Sequence, residues 1–305
     1  MKIGNLLRTS RTAKKSEEMI TSAADMSREY WVRHNVTSHE QYQSRQASLD
    51  YFHWRNDQYF NYIALMPVHE QDGKEVLDFG CGPGNDLVGF GEYSKPRRLV
   101  GVDVSATSLE QAKRRLALHD INAELLEIDC SNLRLPFADE SFDHIHCSGV
   151  LHHMHEPVSA LREFKRILRR TGTVNVMVYN YESLWLHLYV AYQRTLVQGL
   201  HVESDLREQF RYSTDGEECP ISRCFTATEF VTLCREADMC AEFVGAAVSM
   251  HEAALFPLRF EAIQNRQLSA ESRRFLRELQ TDNRGYPLYR GHYAGIGGCY
   301  RLRRT

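Results

Sequence analysis

The chain has 305 residues, with 37 Lys plus Arg against 40 Asp plus Glu, a formal net charge of −3, and 43% hydrophobic and 25% charged residues. That composition excludes disorder throughout and leaves room for one large domain with insertions or two small ones. The lack of a basic excess argues against a partner held through a phosphate backbone. The mean hydropathy is −0.46, and no stretch approaches the roughly 20 apolar residues that cross a bilayer.

Residues 1–16 carry Lys2, Arg8, Arg11, Lys14 and Lys15 and no acid. Ile3, Leu6 and Leu7 do not make the apolar centre of a signal peptide. A frayed, solvated start is the expectation, with a mitochondrial presequence as the alternative. Residues 17–70 read as helices, and the stretch from His39 to Tyr62 is dense in aromatics. From there strands and helices alternate. Glu75–Phe79 is a short apolar strand that ends in Gly80-Cys-Gly-Pro-Gly84, and a helix follows over about 85–93. Arg98–Val104 is a second strand, and Ser105 caps a helix over 106–119. Ala123–Ile128 and Phe142–Cys147 are strands three and four. Pro157–Arg169 is a helix with Val158, Leu161, Phe164 and Leu168 on one face, ended by Gly172, and Thr173–Tyr179 is strand five. Such alternation predicts a parallel sheet with helices on both faces.

The last third is less regular. Ser183–Val197 reads as a helix that is apolar on most sides near its start, and 211–224 as a loop. Thr226-Ala-Thr-Glu229 has the spacing of a capping box for a helix to about Ala237. Ala241–Ser249 and His292–Leu302 read as strands, with mostly helical chain between them. The eight cysteines are scattered and form no CxxC, so a zinc site or a disulfide framework is not expected, and reduced thiols in a cytosol are the simple reading.

The chemistry centres on the glycine-rich loop. Glycines between a strand and a helix let backbone approach a ligand closely. Asp103, 21 residues after Gly82, stands near the end of the second strand, where a carboxylate can accept two hydrogen bonds from a ribose diol. Together they predict a nucleoside-containing cofactor across the carboxyl ends of the strands. The spacing departs from the dinucleotide pattern, and Asp78 just before the loop would repel a pyrophosphate. It could meet an ammonium, directly or through water. On charge grounds this favours S-adenosylmethionine, which carries an ammonium and a sulfonium, over NAD.

Val76-Leu-Asp-Phe-Gly-Cys-Gly-Pro-Gly84 and Val100-Gly-Val-Asp-Val-Ser105 resemble the first two motifs of class I S-adenosylmethionine-dependent methyltransferases. Ile128-Asp-Cys130, Leu135-Pro-Phe137, Ser141-Phe-Asp143, Ser148-Gly-Val-Leu-His-His153 and Leu161–Leu168 are similar to the blocks that follow. The resemblance covers about 72–180, with weaker support over 225–249 and 290–302, and is nearest the small-molecule branch typified by ubiquinone and menaquinone methyltransferases. It implies an α/β, Rossmann-like fold: a seven-stranded, mostly parallel sheet with helices on both faces and a helical cap. It implies further that Asp78, Gly80, Gly82 and Gly84 surround the methionine part. Asp103 would bind the ribose, with Val104 beside the adenine. Asp129 would accept from the adenine amino group, Cys130 would lie against the ring, and Ser148 would sit near the methionine or sulfonium. Asp129 as a turn cap and Cys130 as a small buried residue are the plainer alternatives.

Methyl transfer from a sulfonium needs alignment, exclusion of water and, for a hydroxyl or ammonium acceptor, removal of a proton. Histidine is the usual base near neutral pH. His152 and His153 follow the fourth strand at the catalytic edge; His152 is the first candidate, and a structural turn is the alternative for both. His144 and His146 alternate on one strand face, where packing or hydrogen bonding is expected rather than a metal. For the acceptor the candidates are Tyr179, Tyr181, Trp185 and Tyr212, with Asp215 and Arg223 as further polar contacts; the aromatic run from Trp185 reads equally as core packing and as a lid over the substrate. Tyr30-Trp31, His34 and Trp54-Arg55 could fold over the cofactor, Arg55 pairing with the methionine carboxylate or, equally, forming a surface salt bridge.

The expected organisation is a helical cap segment (1–71), a cofactor-binding core (72–180), an inserted substrate lid (181–224) and the remainder of the core with a helical insertion (225–305). The expected function is S-adenosylmethionine-dependent methylation of a small molecule, at a hydroxyl of a secondary metabolite or sugar. The alternatives are a lipid or quinone methyltransferase and a non-catalytic nucleoside-binding scaffold. The expected setting is cytoplasmic, with a small-molecule acceptor, no nucleic acid, no metal and no stable membrane insertion. A homodimer is compatible with the sequence.

Overall fold

The computed structural model describes residues 26–35, 41–130 and 133–305. The basic first 16 residues lie outside the described residues. The central sheet is built from seven main strands: β1 (Glu75–Phe79), β2 (Arg98–Asp103), β3 (Glu124–Glu127), β4 (Phe142–Ser148), β5 (Leu168–Asn180), β6 (Met239–Ser249) and β7 (Gly297–Arg304). Their order across the sheet is β6-β7-β5-β4-β1-β2-β3. β1 pairs in parallel with β2 and β4, β2 with β3, and β4 with β5. Only β7 runs against its neighbours, β5 and β6. Two two-residue strands add to the seven expected. Tyr59–Phe60 pairs with the end of β6, and Cys224–Phe225 with the end of β5.

The chain leaves β1 toward β2 and β3 and returns on the other side of β1 as β4. That reversal opens a crevice at the carboxyl ends of β1 and β4, where ligands of open α/β sheets bind. Helices cover both faces. On one face α3 (Asn85–Tyr93) and α4 (Ala106–Ala117) bury Leu87, Val88, Phe90, Leu109 and Leu116 with Phe52 of α1 (Arg45–Asp57), which the one-turn α2 (Tyr62–Leu65) follows in the chain. On the other, α5 (Pro157–Ile167) and Ala227–Glu236 pack Phe164 and Phe230 against Phe79, Phe142 and Tyr300. The local signals work as the sequence suggests: Ser105 accepts from the backbone of Ser108, and Thr226 and Glu229 form a reciprocal capping box.

Three boundaries differ from expectation. α5 ends at Ile167 rather than Arg169, because Leu168 pairs with Phe142 and Arg169 reaches Asp143 at 2.5 Å, which starts β5 early. Trp185–Val197 is wound as a π-helix, and its Leu184, Leu188 and Tyr192 side form a satellite core with Phe275, Leu276 and Tyr289. The last predicted strand is split: His292–Tyr293 joins a small three-stranded ribbon and β7 starts at Gly297. Between them the backbone is taken elsewhere, Ala294 donating to Pro287 and Ile296 to the carboxylate of Glu252.

Glu252 is fully buried and accepts from the amides of Ser249, Trp185 and Ile296 and from the Ser249 hydroxyl. Burial pushes its carboxyl up to about 7, while those donors favour the ionised form. It ties the end of β6, the start of the π-helix and the start of β7 at one point. Replacement Glu252→Ala strands three buried backbone donors and should cost about 2–4 kcal/mol in urea unfolding. Glu252→Gln, which keeps an acceptor oxygen, should cost less than half of that.

Candidate cofactor and acceptor site

The crevice is a cavity of about 610 Å³ between the β1, β2 and β4 edges, the helical residues 26–33 and α1. Its floor is the loop after β1. The amides of Gly80 and Cys81 donate to the carbonyl of Val102, and the amide of Gly82 donates to Asp103 Oδ2 at 2.9 Å. Asp103 Oδ1 accepts from the amide of Ser105, also at 2.9 Å. One carboxylate therefore clamps the β1 and β2 loops together while it lines the cavity. Gly80 is left-handed (φ 74°), and a Cβ there would come 2.3 Å from Val150. Gly84 is turned away from the cavity, capping α3 and backing onto Ala112.

Gly80, Gly82, Asp103, Val104, Asp129, Cys130, Ser148 and Arg55 all line this cavity. Asp78 lies behind the loop, 2% exposed, and its Oδ2 has no hydrogen-bond partner. Burial pushes its carboxyl up to about 7, with His146 pulling it down and Asp86 pushing it up. The thiol of Cys130 is raised by burial to about 12 and stays protonated. Tyr62 and Ser148 share a hydrogen bond of 2.6 Å on the wall.

Arg55 comes from α1 and lies over the ring of Tyr62 at 4.7 Å, 3.5 Å from Asp86 Oδ1. Asp86 Oδ2 lies 3.3 Å from His146 Nε2 on β4. Burial opposes charge on Asp86, yet Arg55 and His146 hold its carboxyl below the usual carboxylate range. Burial also acts against the charged form of His146, but Asp86 raises it above its ordinary value. Sequence reasoning missed Asp86 and Tyr62. His144 takes the packing role expected of it, with Nδ1 3.1 Å from the Thr173 hydroxyl.

At the far end the two candidate bases separate. His152 is fully buried, its ring 3.9 Å from that of Tyr179, and it does not line the cavity. Burial drives it well below its ordinary value. His153 does line the cavity. Its Nδ1 lies 2.6 Å from the carbonyl of Ile221, which can only accept, so Nδ1 carries the hydrogen. The free nitrogen, Nε2, stands 3.6 Å from Asp215 Oδ2, and the ring meets Trp31 edge-on at 4.8 Å. Burial keeps His153 below its ordinary value, against the pull of Asp215.

Tyr179 lines the cavity and donates to Asp215. The other three aromatic candidates lie outside it. Tyr181 donates to Glu271 under the Arg207 guanidinium, Trp185 donates to Ser213, and Tyr212 stacks on His201. They hold the insertion together rather than line the site.

A family model described as a methyltransferase domain matches residues 76–172. Over that segment the chain is similar to the class I S-adenosylmethionine-dependent methyltransferases. It is 33% identical over 126 residues to an uncharacterized methyltransferase of Schizosaccharomyces pombe, covering 40% of this chain and 45% of that protein. It is 32% identical over 123 residues to the tRNA U34 carboxymethyltransferase of Campylobacter curvus (40% and 39%), and 28% identical over 161 residues to a demethylmenaquinone methyltransferase of Staphylococcus epidermidis (52% and 59%). The chain thus spans from about two-fifths to three-fifths of the length of these relatives. Among solved structures, an S-adenosylmethionine-dependent methyltransferase from Mesorhizobium loti aligns with a TM-score of 0.50 at 19% identity, over 80% of this chain and 97% of that one, and shares its fold. S-adenosylmethionine is the cofactor of this family. The residues present fit it: a buried carboxylate oxygen without a partner at Asp78, a glycine cradle that a Cβ would fill, and Asp103 on the cavity wall.

The Arg55–Asp86–His146 chain gives a pH signature. The raised value of His146 adds stability that is complete below about 6.5 and fades as pH rises through its folded-state value. Asp86→Asn should therefore cost about 2–4 kcal/mol at pH 6 and measurably less at pH 8, read as the gap between wild-type and variant urea midpoints.

Proposed function

We propose that the chain transfers a methyl group from S-adenosylmethionine to a protonated heteroatom of a small molecule, with His153 as the base. The observation that carries this is the free Nε2 of His153 beside Asp215, on the wall of the cavity that Gly80 and Gly82 also line. When bound, the cofactor supplies an electrophilic methyl on a sulfonium.

The chain's own residues divide the work. Asp103 takes the ribose hydroxyls while it keeps the loop amides in place. Asp129 takes the adenine amino group between Val104, Ile128 and Cys130. Asp78, Gly80 and Gly82 take the methionine ammonium and backbone, and Arg55 its carboxylate. Ser148 and Tyr62 wall the sulfonium end. Residues 26–33 and α1 act as the cap, and the 181–224 insertion, through Asp215, as the lid. His153 Nε2 receives the acceptor's proton, and His152 supports Tyr179 from behind. Both oxygen, the acceptor atom suggested by the sequence, and nitrogen satisfy this geometry.

A small acceptor is favoured over tRNA by the net charge of −3 and by a wall rich in rings, among them Trp31, Tyr59, Tyr62 and Tyr179. Among the described residues no helix is long and apolar enough to cross a membrane.

Calorimetry with S-adenosylmethionine is the direct test. Asp103→Ala should weaken binding at least about tenfold, because it removes the ribose acceptor and unclamps two loops. His153→Ala should leave that affinity within about twofold and lower turnover of any acceptor found by screening by about 100-fold. The wild-type pH–rate curve should level off below neutral pH, since burial holds His153 under its ordinary value. Equal binding by wild type and Asp103→Ala would sink the cofactor placement.

A further inference from the structure

Asp215 sits at the acceptor end of the cavity with its charge uncompensated. Its oxygens accept from the Tyr179 hydroxyl at 3.1 Å and the Ser222 hydroxyl at 3.4 Å, and its carbonyl accepts from Tyr30. Among the described residues no Lys or Arg forms an ion pair with it; its ion-pair partner is His153. Yet the hydrogen of His153 is on the far nitrogen, bound to Ile221. Two acceptors, a carboxylate oxygen and an imidazole lone pair, thus face each other across 3.6 Å with no hydrogen between them. Trp31 and Tyr179 supply ring faces and edges around the pair.

A part-buried carboxylate beside a lone pair is unfavourable until a donor or a cation arrives. A hydroxyl brings one hydrogen and no charge, so it satisfies one of the two acceptors. An ammonium brings several hydrogens and the missing charge, and aromatic walls favour it further. Resting on the methyltransferase reading above, we infer that the methyl acceptor is an amine, bound as its ammonium between Asp215 and His153.

The step balances. One N–H proton passes to His153 Nε2, and the imidazolium is stabilised by Asp215. The freed nitrogen lone pair forms the N–C bond as the C–S bond breaks, its electron pair going to sulfur. The products are the N-methylammonium and the neutral thioether of S-adenosylhomocysteine, and His153 returns its proton to solvent.

A metal is the competing occupant, since His153, Asp215 and Cys219 present donor atoms within 4.8 Å of one another. They do not converge, however. The Cys219 sulfur lies 3.8 Å from Nδ1, the nitrogen already committed to Ile221, and its own hydrogen points to the same carbonyl. Burial raises that thiol to about 12, away from the thiolate a metal needs.

The test is calorimetry on the full chain saturated with S-adenosylhomocysteine. The probes are alkyl and arylalkyl amines, each matched to its alcohol, beginning with phenethylamine and 2-phenylethanol. At least one amine should bind about tenfold or more tighter than its alcohol. That preference should vanish in Asp215→Asn, persist in Cys219→Ala, and leave S-adenosylhomocysteine affinity unchanged in both. The inference is overturned if no amine outbinds its alcohol, if Asp215→Asn keeps the preference, or if micromolar Zn²⁺ binding appears and is lost in Cys219→Ala. Failure of S-adenosylhomocysteine to bind the wild type would instead strike the methyltransferase reading, so the two failures are separable.

Discussion

The structure depends on one buried chain of charge, Arg55 to Asp86 to His146. Each member comes from a different element: α1, the first turn of α3, and β4. Ionised side chains leave water only when they are paired, and here pairing requires the cap helix to sit on the core. The same contact places the Arg55 guanidinium over Tyr62, whose hydroxyl meets Ser148 at the end of β4. The cap helix, the first turn of α3 and β4 are thereby held in one geometry, and Arg55, Asp86, Tyr62 and Ser148 also line the cavity. Asp78 lies next to this chain. Asp86 meets its cations directly, and its carboxyl is held low; Asp78, without such a partner, is pushed up.

A second junction does for the acceptor end what the first does for the cofactor end. Asp215 and Ile221 belong to the insertion after β5, whereas His153 belongs to the turn after β4. The insertion sets the tautomer of His153 through Ile221 and sets its surroundings through Asp215. Tyr30 and Trp31 then close over both. The reacting end exists only when three separate parts of the chain have docked, while the cofactor floor is made almost entirely by consecutive motifs of the core.

That difference explains what could be read in the sequence. The cofactor floor was legible because its signals are local: Gly80–Gly84 follows an apolar strand, Asp103 ends the next, and Ser105 and Thr226 announce their helices. The choice between His152 and His153 was not legible. Both lie in a single 3-10 turn after Gly149, and adjacent residues in such a turn face different ways for reasons set by distant packing. The tertiary partners that decide it, Tyr179 behind one ring and Ile221 on the other, are tens of residues away. Tyr181, Trp185 and Tyr212 misled because an aromatic run reads the same whether it walls a site or fills the core of an insertion. Asp86 was missed for the opposite reason: in a helix's first turn a carboxylate is ordinary, and nothing local says that this one is buried.

The two junctions also suggest an order of events. The cofactor half keeps its hydrogen bonds among core residues, Asp103 holding both loops. The acceptor half brings two hydrogen-bond acceptors together with no donor between them, an arrangement that a cation seated in the gap would relieve. Cofactor binding should therefore be nearly independent of the insertion, whereas an acceptor should tighten the contact of the Tyr30–Trp31 segment with the Asp215 loop. On the proposed reading, a site arranged in this way is held most firmly over the sulfonium when a nucleophile is present. That limits loss of the activated methyl group to water.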